Sequence, residues 1–414
     1  TAVAEGTTTV TATSAHDTSK KASAQVTVSL TGEPNTDAPL EFTVMFGSDV
    51  WNSGDAIAVD AQGFLYVIGG TQGDFPGPHA GGANDAFVSK RTADGTEVWT
   101  RQFGTAGSDV ATAVAVDGNG DVLVAGDTTG DLGGPNAGKS DGFLRKYTAD
   151  GEVAWTVQFG SDENEYVLAL AVGANGNIYL GGMWDTGTAP ESGTGFIRTY
   201  RYASDGLSVE EVGTIQPRYA VRGLAADADG NVIAVGALRF DDRGAEVWVL
   251  KLDSDRSTVW SKAYGSGAEP DEPSGDRAPV PATRTPLARW QGLGGFNDAA
   301  HAVAVDADGN IYVTGHMGAR NVGLATTIWD YREPETFVLK LAPDGTELWA
   351  VLFETGAGTI GRAIAVDDAG NVALASNIQT FISWPNYPGT EMLVRLLTPD
   401  GELVWEEIYG GTGR

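Results

Sequence analysis

Short runs of alternating hydrophobic and polar residues recur along most of this chain, always in pairs that flank a turn. One kind of pair surrounds a glycine turn in segments of equal length, at residues 57–70, 114–127, 170–183, 224–237, 303–316 and 364–377. A second kind follows each of these, in most copies with an Asp-Gly turn, at residues 86–104, 142–160, 195–213, 247–265, 336–354 and 392–410. Two β-rich runs joined by such a turn predict a β-hairpin. The sequence therefore predicts six repeats of two hairpins, whose strands we name A to D.

The spacing of the repeats predicts the fold. The glycines of the A–B turns lie at positions 63, 120, 176, 230, 309 and 370. Tandem four-stranded units at this period are typical of a β-propeller, in which each unit is one blade. Alanine is the second residue of the first run in all six copies, and a small side chain suits the strand nearest the axis. Tryptophan recurs in strand D, where we expect it to fill space between blades, at positions 99, 155, 260, 349 and 405. We predict an all-β propeller of six four-stranded blades, with seven as the alternative.

The repeats resemble the bacterial β-propeller repeat family (SBBP), whose units read like AIAVD..GNIYVTG followed by DAFVxKLdxdG.xxW. The fifth copy, VAVDADGNIYVTG with TFVLKLAPDGTELW, matches this pattern closely, and the resemblance covers residues 41–414. The family is usually presumed seven-bladed, whereas six copies are present here. Residues 41–47 (EFTVMFG) read as a spare strand D. We expect a closed ring of six blades in which this strand pairs at the outer edge of the last blade, near 403–410. The alternative is a further partial blade beyond Arg414.

The first residues differ from the repeats. Residues 1–31 are rich in Thr, Ala and Ser, contain two alternating runs, and resemble the last two strands of a bacterial immunoglobulin-like domain. Two strands are too few for a sandwich, so we expect a short β-hairpin appendage that ends a preceding module. Residues 32–40 are predicted to be a linker, and 41–414 the propeller. The chain opens at Thr1 without Met, so we expect a processed piece of a longer protein.

Composition narrows the choice of partners. Lys and Arg number 26 against 55 Asp and Glu, which gives a net charge of −29. Such an acidic protein is not expected to bind nucleic acid or an anionic lipid surface, because both depend on clustered basic residues. The chain has no cysteine, which excludes disulfides and thiolate metal sites. No run approaches the roughly 18 apolar residues of a membrane span, so no direct membrane insertion is expected.

The connections between hairpins identify a candidate binding surface. The A–B and C–D turns are nearly constant in length and share one face of a propeller, whereas the B–C and D–A connections vary and share the other. We call the second face the variable face. Loops on a rigid scaffold often carry function, so we expect binding there. The alternative is that surface loops simply tolerate drift in length.

One position of each repeat should ring the channel mouth on the variable face. It lies two residues before the hydrophobic residue that leads each A run, and it is occupied by Asp55, Thr112, Leu168, Arg222, His301 and Arg362. Two arginines, a histidine and an aspartate suit an anionic or hydroxylated ligand. The alternative is that they form ion pairs between neighbouring blades, such as Asp55 with Arg362.

Aromatic residues in the variable connections are a second set of candidates, because exposed rings suit contact with sugar or protein. The alternative is that they hold their own loops in place. The ligand-binding candidates of this set are Trp184, Trp290, Trp329 and Trp384. The D–A connection 266–302 is by far the longest. We expect it to lie over the variable face beside the B–C loop 317–335, with Trp290 near the channel mouth; the alternative is a loop without a role.

The sequence contains few residues whose spacing suggests catalysis or metal binding. His301 and His316 open and close one hairpin, and with Asp298 they would suit a metal ion or acid–base chemistry. Segments 227–231 and 306–310 resemble the start of a calcium loop but lack the glutamate at its twelfth position, and we interpret them as turns. We predict no catalytic residue, no metal site and no cofactor, with calcium the one cofactor considered.

These features favour a secreted or cell-surface bacterial propeller that binds or displays rather than catalyses. We expect it to act in adhesion or display with a carbohydrate or protein partner, and to be located outside the cell or at its surface. The alternative is a polysaccharide-active enzyme, a lyase or hydrolase, that uses His301, Arg222 or Arg362 at the channel mouth. The fold alone does not choose between them.

Overall fold

The computed structural model describes the six repeats and a short N-terminal sheet. The described residues are 6–13, 21–28, 46–185, 194–203, 208–217, 219–240, 244–264, 282–284, 298–318, 334–353, 358–378 and 391–409. Every regular element among them is a strand. The predicted all-β propeller is confirmed: six four-stranded blades stand in a ring. Within these residues there is no helix of the length and hydrophobicity needed to cross a membrane.

Two strands precede the ring and pair antiparallel, β1 (Gly6–Thr13) and β2 (Lys21–Val28). They form the predicted β-hairpin, and its origin in an immunoglobulin-like module stays a prediction. The linker 32–40 lies outside the described residues.

Each blade is an antiparallel sheet whose strands A to D follow chain order. The first three blades consist of β3 (Asn52–Val59), β4 (Leu65–Thr71), β5 (Asp85–Arg91) and β6 (Glu97–Phe103); β7 (Asp109–Val116), β8 (Val122–Thr128), β9 (Asp141–Tyr147) and β10 (Val153–Phe159); and β11 (Asn164–Val172), β12 (Ile178–Asp185), β13 (Thr194–Tyr202) and β14 (Val209–Ile215).

The last three blades follow the same order. They consist of β15 (Val221–Ala226), β16 (Val232–Phe240), β17 (Gly244–Leu252) and β18 (Thr258–Tyr264), with β19 (Ala282–Arg284) added; β20 (Ala299–Val305), β21 (Ile311–Met317), β22 (Glu335–Leu341) and β23 (Glu347–Phe353); and β24 (Thr359–Val366), β25 (Val372–Ile378), β26 (Glu391–Leu397) and β27 (Leu403–Tyr409).

The A–B turns close through the residues that the sequence repeats. In the second blade the amide of Gly120 donates to the Asp117 carbonyl at 3.0 Å, with Gly120 at φ 81°. The Asp117 carboxylate accepts a hydrogen bond from the amide of Asn119 at 2.9 Å. A positive φ favours glycine because it has no Cβ, which explains why this residue recurs in all six turns.

The core lies between the blades. Five hydrophobic clusters each span two successive blades, from the first and second to the fifth and sixth. In the cluster between the first two blades, Tyr66 and Ile68 of β4 pack with Val122 and Val124 of β8. No cluster of the described residues joins the sixth blade to the first.

The expected pairing of residues 41–47 with the outer edge of the sixth blade stays a prediction. In the sixth blade, β27 is the outermost strand, and no described strand pairs with its outer edge. Residues 41–45 lie outside the described residues, but Phe46 packs on the first blade, with ring centroids 6.1 Å from Phe75 and 6.3 Å from Phe87.

The expected position of the long connection 266–302 is wrong for the part described. Its strand β19 pairs in parallel with β18, with Ser261 opposite Ala282 and Ala263 opposite Arg284. Strand β18 is the outermost of the four regular strands, so β19 extends the fourth blade away from the channel. Its edge has backbone groups free to pair, whereas the channel face offers none. The rest of this connection, including Trp290, lies outside the described residues.

Candidate functional site

A β-bulge in every A strand builds the candidate site. The pairing of strands A and B shifts register once in each blade, between Gly54 and Ala56 in the first. The residue skipped by the shift is in every case the predicted ring residue, namely Asp55, Thr112, Leu168, Arg222, His301 and Arg362. A bulge adds one residue to a strand and redirects a side chain. The bulges therefore place one side chain per blade at the same level of the ring.

The six bulge residues line one cavity. It has a volume of about 530 Å³, and its wall is completed by small and aliphatic residues of the A strands. The predicted arrangement of these six positions around the axis is thus confirmed, and their role in binding stays a prediction. The bulges themselves were missed. A glycine beside the ring residue in three strands, as in Gly361-Arg362, was the available signal.

The cationic side of the cavity comes from three successive blades. Arg222, His301 and Arg362 belong to β15, β20 and β24, whose bulges bring them to one wall. Within the described residues neither arginine forms an ion pair, and the Nε of Arg222 is buried without a hydrogen-bond partner. Desolvation and the neighbouring Arg222 guanidinium lower the pKa of Arg362. Neither guanidinium is therefore paired with a carboxylate among the described residues, although Asp55 lines the same cavity.

His301 is held neutral by this environment. Its Nε2 lies 2.9 Å from Nδ1 of His316, and the two rings stack with centroids 5.1 Å apart. Burial, together with the positive charge of its neighbours, lowers the pKa of His301 to about 2. An imidazole of this kind can exchange hydrogen bonds with a hydroxyl group, but it adds no positive charge near neutral pH.

Asp55 does not neutralise the arginines. Its carboxylate accepts a hydrogen bond from Oγ of Ser53 at 2.9 Å, and desolvation raises its pKa. The structure forms no ion pair between Asp55 and Arg362, so the predicted alternative of a pair across neighbouring blades is wrong for these two residues. No hydrophobic cluster of the described residues joins the first blade to the sixth, unlike the other neighbouring pairs of blades.

The remaining two ring residues, Thr112 and Leu168, are uncharged. Thr112 donates its hydroxyl to the Val167 carbonyl at 2.6 Å, a contact between the second and third blades. Leu168 adds an apolar surface beside it. The cavity therefore has its arginines on one wall, and the wall formed by the first three blades holds the Asp55 carboxylate, a hydroxyl group and an apolar surface.

The aromatic candidates do not line this cavity in the part of the chain that is described. Trp184 lies in β12 rather than in a loop, and its ring packs 5.2 Å from that of Phe196 in the same blade. This contact holds Trp184 against the blade, because alternate residues of a strand share one face. Trp290, Trp329 and Trp384 lie outside the described residues.

The carboxylates considered for metal binding are engaged in other contacts. Asp298 accepts a hydrogen bond from the amide of Gly318 at 2.9 Å, and Asp306 accepts one from the amide of Asn310 at 2.8 Å. Asp227 forms the same turn contact with Asn231 and an ion pair with Lys251 at 2.9 Å. Among the described residues, no three His, Asp or Glu side chains converge as a metal site would require.

Comparison with known proteins supports the repeat assignment. Residues 98–133 match the family model described as Beta-propeller repeat (SBBP). The matched stretch contains a propeller repeat. It runs from strand D of the first blade through strands A and B of the second. The Regulatory protein FlaEY of Caulobacter vibrioides is 34% identical to this chain over 113 residues. That match covers 25% of this chain and 12% of FlaEY, so the chain corresponds to a small part of that protein.

Several solved structures superpose on this chain at low sequence identity. A protein from Lactobacillus plantarum superposes with a TM-score of 0.44 at 14% identity, over 86% of this chain and 88% of that one. A luciferin-regenerating enzyme superposes with a TM-score of 0.43 at 12% identity, over 87% of this chain and 91% of that one. A gluconolactonase from Xanthomonas campestris superposes with a TM-score of 0.38 at 14% identity, over 79% of this chain and 84% of that one. At these scores and identities the likenesses do not distinguish a binding protein from an enzyme.

Proposed function

We propose that this chain is a secreted or cell-surface propeller that binds an acidic carbohydrate in its central cavity. The observation that carries the proposal is that Arg222 and Arg362 lie on one wall of a cavity and form no ion pair in the described part of a chain of net charge −29. The chain has 55 acidic residues, yet neither arginine has a carboxylate partner among the described residues, which suits a ligand that supplies a carboxylate. Arginine is the side chain best shaped to hold a carboxylate by two parallel hydrogen bonds.

The rest of the cavity suits a sugar ring. A volume of about 530 Å³ lies within the range of small-molecule sites. The neutral imidazole of His301 can accept or donate a hydrogen bond to a hydroxyl group, and Leu168 offers an apolar surface to a ring face. A uronic acid combines one carboxylate with several hydroxyls, which is the combination that this wall arrangement favours.

The enzymatic alternative has weaker support. A general base works best when its pKa lies near the operating pH, whereas the pKa of His301 is lowered to about 2. Proton abstraction by this imidazole would therefore gain little driving force near neutral pH. We propose that the chain is an adhesion or display module whose partner is an acidic glycan.

The test is calorimetric titration of the full chain with a galacturonic acid oligosaccharide and with the neutral galactose oligosaccharide. We expect measurable binding of the acidic sugar only, and a loss of about tenfold or more in affinity for Arg222→Gln or Arg362→Gln, as expected for one charge-assisted hydrogen bond. Arg201→Gln is the matched control, because Arg201 is exposed and pairs with Glu210 at 3.2 Å outside the cavity. Binding must weaken as salt is raised.

Three results would contradict the proposal. They are equal binding of the neutral sugar, no binding of any acidic glycan in an array, or affinity that is unchanged in both cavity variants. Consumption of the acidic oligosaccharide during the titration, detected as new sugar products, would instead support the lyase or hydrolase alternative.

A further inference from the structure

His301 lies in the middle of the cationic wall of the cavity. It belongs to the fifth blade, between the fourth blade, which carries Arg222, and the sixth blade, which carries Arg362. Asp55, the carboxylate of the ring, belongs to the first blade, so the sixth blade separates it from His301 around the ring. The ring residues on either side of His301 are therefore both arginines.

One ring nitrogen of His301 is already engaged. Its Nε2 lies 2.9 Å from Nδ1 of His316, which belongs to β21 of the same blade, and the two rings stack at an interplanar angle of 23°. This contact orients the imidazole and leaves Nδ1 as the nitrogen available to a molecule in the cavity. Burial and then the charges of its neighbours lower the pKa of His301, so the ring is neutral near neutral pH.

A neutral imidazole carries one proton, so one of its nitrogens donates a hydrogen bond and the other accepts one. With the proton on Nδ1, His301 accepts from His316 and presents a donor to the cavity. With the proton on Nε2, His301 donates to His316 and presents the Nδ1 lone pair to the cavity. Polar side-chain dipoles orient in the local electric field. Two guanidinium groups on the cavity side favour a lone pair there over a further N–H donor, which selects the second tautomer.

We propose that His316 is a positioning residue that holds His301 as a hydrogen-bond acceptor, so that the cavity selects an acidic sugar with a free hydroxyl group beside its carboxylate. This inference rests on the proposed function and names the sugar group that His301 recognises. The arginines donate to the carboxylate, and Nδ1 of His301 accepts the hydroxyl hydrogen. A sugar without this hydroxyl leaves the lone pair of Nδ1 without a donor, which costs affinity.

The first test measures the tautomer of His301 without any ligand. NMR of the full chain with isotopically labelled histidine distinguishes a protonated ring nitrogen from an unprotonated one, and the signals lost in His301→Phe identify His301. His79 is an internal reference, because its Nδ1 accepts the Gly81 amide hydrogen at 3.1 Å and is therefore unprotonated. We expect His301 to show the same tautomer as His79, with the proton on Nε2. A proton on Nδ1 of His301 would overturn the proposal, whichever sugars bind.

Two variants of His316 separate positioning from folding. His316→Asn places a side-chain oxygen near the position of Nδ1 and keeps an acceptor for His301, so the tautomer should persist. His316→Leu removes the acceptor, so a mixture of both tautomers is expected. Thermal unfolding monitored by circular dichroism checks that both variants fold, and His316→Phe replaces the leucine variant if that one does not. An unchanged tautomer in the variant without an acceptor would show that His316 does not position the ring.

The second test measures which hydroxyl group His301 recognises. Calorimetric titration compares the methyl glycoside of galacturonic acid with its deoxy analogues, each of which lacks one hydroxyl group. We expect one analogue to bind about three- to tenfold more weakly than the parent sugar, as for one hydrogen bond. This difference should disappear in His301→Phe and become smaller in His316→Leu. Equal affinity for the parent sugar and every analogue would overturn this inference and leave the proposed function intact, whereas failure of every acidic sugar to bind would overturn both.

Discussion

At the scale of single residues, the direction of each channel side chain depends on one extra residue in strand A. Successive side chains of a strand point to opposite sides, so without the bulge Arg222 and Arg362 would lie in line with the residues that pack between blades. The bulge lets the strand keep its hydrophobic alternation on both flanks and still turn one side chain toward the axis. The site can therefore vary in chemistry, from Asp55 to Arg362, without disturbing the core.

A second residue with unusual electrostatics lies at the end of β8. Burial raises the pKa of Asp127 to about 7, and the nearby Asp109 carboxylate adds to the effect. The pKa is raised in the folded state, so the protonated form of Asp127 is the one that folding favours. The stability that depends on this proton is present at acidic pH and is lost as the pH rises from the ordinary range of an aspartate through 7.

We predict that Asp127→Asn raises the thermal midpoint above pH 7 and has almost no effect near pH 4. The asparagine removes a charge that the folded state buries poorly, which should give a gain of a few degrees at about pH 8. Differential scanning calorimetry across this range measures it. Asp162→Asn is the control, since Asp162 is an exposed carboxylate. A gain that is equal at both pH values would contradict the assigned pKa.

The residues of the site were only partly predictable. Alignment of the six repeats placed Asp55, Arg222, His301 and Arg362 at one level, because equal repeats put equal positions at equal distances from the axis. It also suggested that Asp55 would pair with Arg362, and this failed. A repeat pattern fixes the position of a residue along its strand, but the distance between two side chains also depends on how their blades pack.

At the scale of elements, the contact between a strand D tryptophan and the next turn is the most regular polar link between blades. Trp349 reaches Pro399 at 2.9 Å, and Lys340 from the neighbouring strand C donates to the same carbonyl at 3.3 Å. The same arrangement links Lys90 and Trp99 to Ala149. One turn carbonyl thus accepts two hydrogen bonds from the preceding blade, which fixes the angle between the sheets.

We predict that Trp349→Phe lowers the free energy of unfolding by about 1 kcal/mol or more, because it removes one hydrogen bond and part of a ring from the blade interface. Denaturant unfolding monitored by circular dichroism measures the change. Trp405→Phe is the matched control, at the same repeat position but without a partner in the described residues. Equal losses in the two variants would show that the indole hydrogen bond is not what matters.

The strand β19 shows what sequence patterns miss at this scale. Ala282-Thr283-Arg284 is too short to stand out as a strand, and prolines at 281 and 286 read as loop. The edge of β18 nevertheless pairs with it, since a free sheet edge can order a short segment that would not be a strand alone. The prolines, which cannot donate to a sheet, bound the pairing on either side.

At the scale of the whole molecule, spacing alone predicted six blades, because each repeat carries its own turns and alternation. The relation of the last blade to the first could not be predicted in the same way. A repeat looks the same whether its neighbour is packed against it or absent, and the expectation of a closed six-bladed ring rested on that symmetry. Phe46, a single residue outside the repeats, packs on the first blade, and the repeat pattern gave no indication of this contact.

Five clusters that join six blades have a consequence for cooperativity. When every blade packs on two neighbours, release of any blade breaks two interfaces, whereas in the described residues the first and sixth blades each share in only one hydrophobic cluster. When stability is a sum over neighbouring units, the terminal units open most often. Amide hydrogen exchange measured by mass spectrometry should therefore be slowest in β12 and β16 of the central blades and faster in β4 and β25. Uniform exchange across all six blades would mean that they unfold as one unit. In that case a protease would not cleave the first or the sixth blade before the others.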